Sequence, residues 1–258
     1  VCQRLHQLEV EYLLTIGGDD TALSARYVAE HSQGKIRVAH VPKTIDNDLP
    51  LKGDAPTFGF TSARNLGTEL VANLMEDSRA TNRWYIVETM GRNSGFLALG
   101  IGKAAGATLT IIPEEIPHST TIGDLATVLE GAIIKRRSMG RSHGVAVLAE
   151  GLLYKIGDLN ELNNLVGKQV PVDAAGHPRL SEIALANLLK DELGRRFAQR
   201  DDQVTLIAHT LGYELRCARP GSYGLGYCRD LGHGGVRLLV EAGHNRPNGF
   251  MVTIQHGQ

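Results

Sequence analysis

The sequence is poor in the features that build disulfide scaffolds and membrane-crossing segments. It holds three cysteines, Cys2, Cys217 and Cys228, which form no CxxC pair and no plausible disulfide framework. Such cysteine usage is typical of a reducing compartment, and we therefore expect a cytoplasmic protein. No apolar run approaches the roughly 20 residues that a helix needs to cross a bilayer. These absences argue against a disulfide-stabilised secreted domain and against a membrane protein.

An excess of charge of one sign is also missing. The 27 Lys and Arg residues nearly balance the 28 Asp and Glu residues, and the formal net charge is −1 at pH 7. This balance gives no electrostatic reason to expect a nucleic acid or a membrane surface as partner. The ten histidines show no metal-ligand spacing such as HExxH. An anionic ligand would therefore have to be held by local groups.

Apolar segments alternate with amphipathic segments along the whole chain. Hydrophobic periodicity predicts strands at 12–16, 36–41, 83–89, 108–112, 143–149, 204–208 and 249–254. It predicts helices at 21–30, 61–80, 96–105, 122–138, 181–199 and 223–242. Strands that alternate with helices are typical of an α/β fold with mainly parallel sheets.

Two polar crossings divide this pattern into two domains. The loop near 47–57 and the region after 216 predict a discontinuous first domain, 1–57 plus 217–258, and an inserted second domain, 58–216. The chain opens on VCQRLHQLEV, which reads as the end of a helix, and it has no initiator Met. It also stops at a strand with no closing helix. We therefore expect that a segment is missing at the N-terminus and that the C-terminus is incomplete.

Carboxylates follow the first two predicted strands. Gly17, Gly18, Asp19 and Asp20 lie in a turn between a strand and a helix, where main-chain N–H groups favour an anion and Asp19 would suit Mg²⁺. The alternative is that Asp20 or Thr21 is only a helix N-cap. The segment TIDND at 44–48 follows the next strand, and an Asp there could accept a hydroxyl proton in phosphoryl transfer. Its alternative is an Asx-rich turn.

Further polar residues follow the later strands. MGRNSG at 90–95 places Arg92 after a buried strand, where a guanidinium suits phosphate, although a solvated surface loop is the alternative. Glu150 and Arg216 also follow strands and could line a sugar-phosphate pocket. The run Gly100 to Gly106 is similar to a dinucleotide fingerprint but lies inside a helical pattern, so we interpret it as close helix packing.

Taken together, these segments resemble the phosphofructokinase family. The motifs occur in the family's order and cover nearly all of the chain: GGDD, PKTIDNDL, TFGFTSA, VETMGRNSGF, PEE, AEG and LGYELRCA. The resemblance implies two Rossmann-like domains with mainly parallel sheets and an active site in the cleft between them. It also implies phosphorylation of the 1-hydroxyl of fructose 6-phosphate in glycolysis, with Mg²⁺.

Individual roles follow only from this resemblance. It implies that Asp46 is the base, that Asp48 supports it, and that Asp19 is the carboxylate linked to Mg²⁺. Thr44 and Arg92 would then contact the transferring phosphoryl group. The remaining matches concern the sugar phosphate: Met90, Gly91, Glu150, Tyr213 and Arg216 would bind it within one subunit, and Arg83 would reach a neighbouring subunit's site. This last match implies a homo-oligomer, a dimer or a tetramer.

Gly18 and two further positions would bind the phosphoryl donor, and those two positions decide which donor is used. Family members that use ATP usually carry glycine where this chain has Asp20 and Lys43. A carboxylate at 20 would repel the α-phosphate of a nucleotide, and a lysine at 43 supplies a cation for pyrophosphate. Both departures favour the pyrophosphate-dependent branch of the family. The alternatives are an ATP-dependent enzyme of the same fold and a truncated, non-catalytic regulatory chain, since the family's first Gly-rich phosphate loop is absent from this sequence.

Overall fold

The computed structural model describes residues 1–52, 55–156, 163–164, 166–167, 183–241 and 248–254. The chain divides into two compact units, Val1–Ser62 with Arg219–Gln258, and Ala63–Ala218. The boundaries expected from the sequence, after residues 57 and 216, lie within five residues of these. The assignment of the units to donor and sugar phosphate stays a prediction.

The regular structure of the described residues includes eight strands and eight α-helices, besides two 3₁₀ helices at Pro113–Glu115 and Glu150–Lys155. The strands are β1 Tyr12–Gly17, β2 Arg37–Thr44, β3 Phe58–Gly59, β4 Trp84–Thr89, β5 Leu109–Ile111, β6 Gly144–Ala149, β7 Leu206–Leu211 and β8 Gly249–Met251. The helices are α1 Cys2–Gln7, α2 Asp19–His31, α3 Phe60–Thr81, α4 Phe96–Ala105, α5 Ile122–Ser138, α6 Leu185–Ala198, α7 Tyr213–Arg216 and α8 Ser222–Glu241.

The first unit is built on a four-stranded parallel sheet with β2 at its centre. Strand β2 pairs with β1 on one side and with β8 and β3 on the other. Helix α2 covers one face, where Ala25 and Val28 pack with Val38. Helix α8 covers the opposite face, where Tyr227 packs with Val41. A sheet that is covered on both faces is the arrangement expected for parallel strands.

The second unit is built on another four-stranded parallel sheet, in the order β5-β6-β4-β7. All six residues of β4 and all six of β6 are buried. A core cluster of this unit joins the sheet to α5 and α6, and it includes Trp84, Ile86, Leu129, Leu189 and Phe197. These central strands fix where the loops that follow them begin.

Several expectations from the sequence are confirmed, and others are wrong in detail. The α/β architecture with parallel sheets is confirmed. Close helix packing within the Gly100–Gly106 run is confirmed at Gly102, where a Cβ would lie 2.1 Å from Thr110 Oγ1 of β5. Helix α6 begins at Leu185 rather than 181, and Ser181 lies outside the described residues. Strand β7 ends at Leu211, three residues later than expected.

Candidate active site

The carboxyl ends of β1 and β2 meet at one edge of the first sheet. Gly17, the last residue of β1, pairs in register with Pro42 of β2. An ideal Cβ on Gly18 would lie 3.8 Å from Thr44 Cβ and 4.0 Å from the Lys43 carbonyl oxygen. The two segments that the sequence singled out are therefore neighbours. This edge is where ligands of open α/β sheets bind.

The turn after β1 places two carboxylates in the first turn of α2. Gly18 is the N-cap, and Asp19 and Asp20 are the first two helical residues. The alternative in which Asp20 or Thr21 caps the helix is therefore wrong. Both aspartates are exposed. Gly17 permits the close approach of strand and helix, because a Cβ there would lie 2.3 Å from Thr21 Oγ1.

Hydrogen bonds hold the segment after β2 in one conformation. The Asp46 N–H donates to Thr44 Oγ1 at 3.1 Å. Thr57 donates its hydroxyl to the Thr44 carbonyl oxygen at 2.7 Å and its N–H to Asn47 Oδ1 at 2.9 Å. These hydrogen bonds hold the chain on both sides of Asp46. Asp46 itself is only 7% exposed, whereas Asp48 is exposed. The buried carboxylate is the better placed of the two to act as a base shielded from bulk water.

The acidic residues at this edge suit a metal that arrives with a phosphate ligand. Within the residues that the structure describes, no group of three or more His, Cys, Asp and Glu side chains could hold a metal ion. Mg²⁺ in phosphoryl-transfer sites is usually held by one or two carboxylates together with phosphate oxygens and water. Asp19, exposed at the start of α2, fits that kind of site.

In the second unit, Glu150 holds the loop that follows β4. Its Oε1 accepts hydrogen bonds from the Gly91 N–H at 3.1 Å and from the Arg92 N–H at 2.5 Å. Ser94 closes the loop by donating both its N–H and its hydroxyl to the Gly91 carbonyl oxygen. Gly91 has φ +154°, and a Cβ there would lie 2.7 Å from the Ser94 carbonyl oxygen. The loop therefore has a fixed shape that requires glycine at this position.

A cavity of about 370 Å³ opens at the carboxyl edge of the second sheet. Three of the predicted sugar-phosphate residues line it, namely Met90, Glu150 and Tyr213. Arg216 stands one helical turn from Tyr213, with its guanidinium carbon 5.6 Å from the centre of the tyrosine ring. Both side chains are exposed and available to a ligand. The structure thus gathers most of the predicted acceptor residues within one unit.

Arg83 lies elsewhere in that unit. It precedes Trp84 at the amino end of β4, whereas Met90 follows the carboxyl end of the same strand. A six-residue strand separates its ends by roughly 17–20 Å. Arg83 therefore does not join Met90 and Glu150 at the cavity mouth, and its predicted role toward a neighbouring subunit stays a prediction.

Sequence reasoning missed one carboxylate of the cavity, Glu88. It also lines the cavity, and its Oε2 accepts a hydrogen bond from the Ala186 N–H in the first turn of α6 at 3.1 Å. Burial raises the pKa of Glu88 to about 7, against the opposing effect of the Ala186 N–H and with a further increase from the nearby charge of Glu150. The available signal was one acidic residue inside the otherwise apolar strand pattern RWYIVET.

Comparison with known proteins identifies the fold and the family of this chain. The family model described as Phosphofructokinase matches residues 1–237. The chain belongs to the phosphofructokinase family. A pyrophosphate–fructose 6-phosphate 1-phosphotransferase of Thermotoga maritima is 53% identical over 252 residues, which cover 98% of this chain and 60% of that protein. A protein of the same name from Naegleria fowleri is 43% identical over 263 residues, which cover 99% of this chain and 59% of that protein.

Solved structures agree on the phosphofructokinase fold. The T-state crystal structure of Pichia pastoris phosphofructokinase matches 100% of this chain and 25% of its own, with a TM-score of 0.72 and 22% identity. At that identity the likeness concerns the fold. The chain spans about three-fifths of the length of the two relatives named above.

Proposed function

We propose that this chain carries the catalytic residues of a phosphotransferase that uses pyrophosphate and fructose 6-phosphate. The observation that carries the donor assignment is the register of β1 with β2, which brings Gly18, two residues before Asp20, next to the main chain of Lys43. A nucleotide would meet a carboxylate at this edge, whereas pyrophosphate would meet a lysine. The names of the two relatives support the same pair of substrates.

The reaction needs one proton acceptor and charge compensation at the transferring group. The 1-hydroxyl of the sugar gives its proton to Asp46 as its oxygen forms a bond to phosphorus. The bond from that phosphorus to the bridging oxygen of pyrophosphate breaks, and orthophosphate leaves. Thr44 and Arg92 contact the transferring phosphoryl group, and Asp48 supports Asp46. In phosphoryl transfer, catalysis consists mainly of such positioning and electrostatic stabilisation.

Asp19 is the residue proposed to hold Mg²⁺ together with pyrophosphate oxygens. The ion would offset the negative charge of the donor, which the two carboxylates at the start of α2 would otherwise repel. Gly18 allows the main chain to come close to the donor, and Lys43 pairs with its outer phosphate. This division leaves Asp20 as the group that rejects a nucleotide.

The acceptor is held in the second unit. Glu150 receives a hydrogen bond from a sugar hydroxyl while it keeps the Met90–Gly91–Arg92 loop in place, and Tyr213 and Arg216 bind the 6-phosphate. Arg83 completes the site of a neighbouring subunit, so the working protein is a homo-oligomer, a dimer or a tetramer.

The three unpaired cysteines of the chain fit a cytoplasmic location. No described helix is long and apolar enough to span a membrane.

The donor assignment is tested by removing the two charges. We expect Asp20→Gly combined with Lys43→Gly to lower the rate with pyrophosphate and raise the rate with ATP, because the repulsive carboxylate and the cation for pyrophosphate are both gone. Initial rates with each donor are measured with fructose 6-phosphate and Mg²⁺. The matched control is Lys35→Gly, which removes a lysine beyond the end of α2 and should leave the donor preference unchanged. An unaltered donor ratio in the double variant would contradict the assignment.

A further inference from the structure

A buried carboxylate faces the acceptor cavity without a role in the reaction proposed above. Glu88 is only 6% exposed and lies in a strand whose six residues are all buried. Its carboxylate points to the N-terminus of α6, where it accepts the Ala186 N–H. It shares the lining of the cavity with Glu150. Among the described residues no ion pair involves Glu88, and a buried carboxylate that lacks a cation partner is costly to keep charged.

Sheet pairing brings the two carboxylates to the same end of the unit. Strands β4 and β6 are neighbours, with Glu88 opposite Leu148 and Thr89 opposite Ala149. Glu150 is the next residue after Ala149, so it lies at the end of the sheet where Glu88 also lies. The charge of Glu150 is stabilised by the N–H groups of Gly91 and Arg92. Burial raises the pKa of the Glu88 carboxylate, and the charge of Glu150 raises it further. Glu88 is the member of the pair that can take a proton.

We propose that Glu88 couples the binding of a sugar phosphate in this cavity to the uptake of a proton by its own carboxylate. The inference rests on the proposed function, since it assumes that the cavity takes fructose 6-phosphate. The ligand brings a phosphate charge toward a cavity that already holds the charge of Glu150. An ionised Glu88 would add a second carboxylate charge in a site of low dielectric constant. Binding therefore favours the protonated form.

The surroundings of Glu88 offer little to offset that repulsion. Helix α6 presents main-chain N–H groups, the segment after β6 presents Glu150, and β7 presents the uncharged Thr210 opposite Glu88. The other titratable side chain of the lining is Tyr213, and within the described part of the chain that lining includes no Lys, Arg or His. Burial and the charge of Glu150 raise the pKa of Glu88 to about 7. Its protonation can therefore change within the neutral range.

The coupling is measured by titration calorimetry of fructose 6-phosphate into the full 258-residue chain. Two buffers with different heats of ionisation give the number of protons taken up on binding. We expect the wild type to take up a fraction of a proton at pH 7.5, where the ligand's phosphate group, with a pKa near 6, is already ionised. Glu88→Gln keeps an acceptor for the Ala186 N–H and should abolish the uptake. Between pH 6 and pH 8 the wild-type affinity should fall roughly 5-fold more than that of the variant.

A matched control separates proton coupling from a loss of structure. Glu130 is as buried as Glu88, but it lies on α5 in an ion pair with Arg196 of α6. Glu130→Gln should unfold at a lower temperature and yet take up as many protons as the wild type on binding. If Glu88→Gln does not fold, the wild-type protein still tests the inference, because binding without proton uptake at pH 7.5 overturns it.

The outcomes distinguish this inference from the function on which it rests. Binding of fructose 6-phosphate with no proton uptake at pH 7.5, or with equal uptake in wild type and Glu88→Gln, overturns the inference and leaves the proposed function intact. The absence of binding at every pH contradicts the proposed function, and the inference with it.

Discussion

At the scale of single residues, burial distinguishes Asp46 from Asp48. Asp46 is 7% exposed and its N–H is bonded to Thr44, whereas Asp48, two residues later, is exposed. A base that is shielded and held in one orientation is ready to accept the proton, and general base catalysis typically raises the rate about 100- to 10,000-fold. The structure therefore favours Asp46 over Asp48 as the proton acceptor.

We expect Asp46→Asn to lower kcat by roughly 100-fold or more, since the amide cannot take the proton of the sugar hydroxyl. The affinity for fructose 6-phosphate should change little. Asp48→Asn is the matched control and should cause the smaller loss. Steady-state rates and equilibrium binding, with thermal unfolding as a check on folding, measure the three effects. Turnover near that of the wild type in Asp46→Asn would rule out this residue as the base.

Glu88 also gives the folded chain a pH dependence of stability. Its pKa is about 7 when folded and 4.5 in the unfolded reference. Between these values the folded state binds more protons than the unfolded state, so the free energy of unfolding falls as pH rises from about 4.5 to 7 and then levels off. The loss is on the order of 3 kcal/mol.

Urea unfolding of wild type and Glu88→Gln at several pH values measures this loss. The free energies of unfolding of the two proteins should diverge mainly between about pH 4.5 and pH 7. Above that range the difference between them should be constant. Parallel stability curves across the whole range would mean that Glu88 titrates alike in the folded and unfolded states.

At this scale the sequence shows which residues carry charge at strand ends, but not what each charge meets. Asp46 and Glu150 could be proposed from their positions after apolar strands. Glu88 could not be weighed, because its hydrogen bond partner Ala186 lies 98 residues away. The two N–H groups that hold Glu150 come from a loop 58 and 59 residues away. Such long-range partners become visible only with the fold.

At the scale of elements, the loop after β4 depends on one glycine. Gly91→Ala adds a Cβ that would lie 2.7 Å from the Ser94 carbonyl oxygen, at a φ of +154°. Strained backbone of this kind costs about 1–3 kcal/mol. We expect a lower free energy of unfolding and weaker binding of the sugar phosphate, because the N–H groups that face Glu150 move.

Gly131 provides the matched control for this variant. It is exposed within α5, and a Cβ there meets nothing within 4 Å. Gly131→Ala should raise the free energy of unfolding by about 0.5–1 kcal/mol, because alanine is the better helix former. Denaturant unfolding and binding measurements on both variants check the contrast. Equal effects of the two substitutions would contradict the shape assigned to the loop.

Element boundaries were predictable where a pattern is local. Helix α5 extends over Ile122–Ser138 as expected, and Thr121 and Asp124 form a capping box at its start. The start of α2 at Asp19 was missed because Gly18 serves as N-cap with no side-chain hydrogen bond. The short strand Phe58–Gly59 was missed as well, since two residues leave no periodic signal and their pairing with Lys43 and Thr44 is a tertiary contact.

At the scale of the whole molecule, alternation of strands and helices sufficed to predict an α/β fold with mainly parallel sheets, and the structure has one such sheet in each unit. The register that sets the turn at Gly18 beside Lys43 follows from sheet pairing rather than from local sequence. The choice of donor thus joins two charges that are 23 residues apart in the chain, at positions 20 and 43. It is the most specific claim that the fold and the family membership support together.

The most direct measurement is the initial rate of fructose 1,6-bisphosphate formation by the wild-type protein with pyrophosphate and with ATP. Both reactions are run at equal donor concentration with fructose 6-phosphate and Mg²⁺. We predict turnover with pyrophosphate at least about 100-fold faster than with ATP, which corresponds to roughly 2.7 kcal/mol of difference in transition-state binding between the two donors. Equal or faster turnover with ATP would contradict the roles given to Asp20 and Lys43.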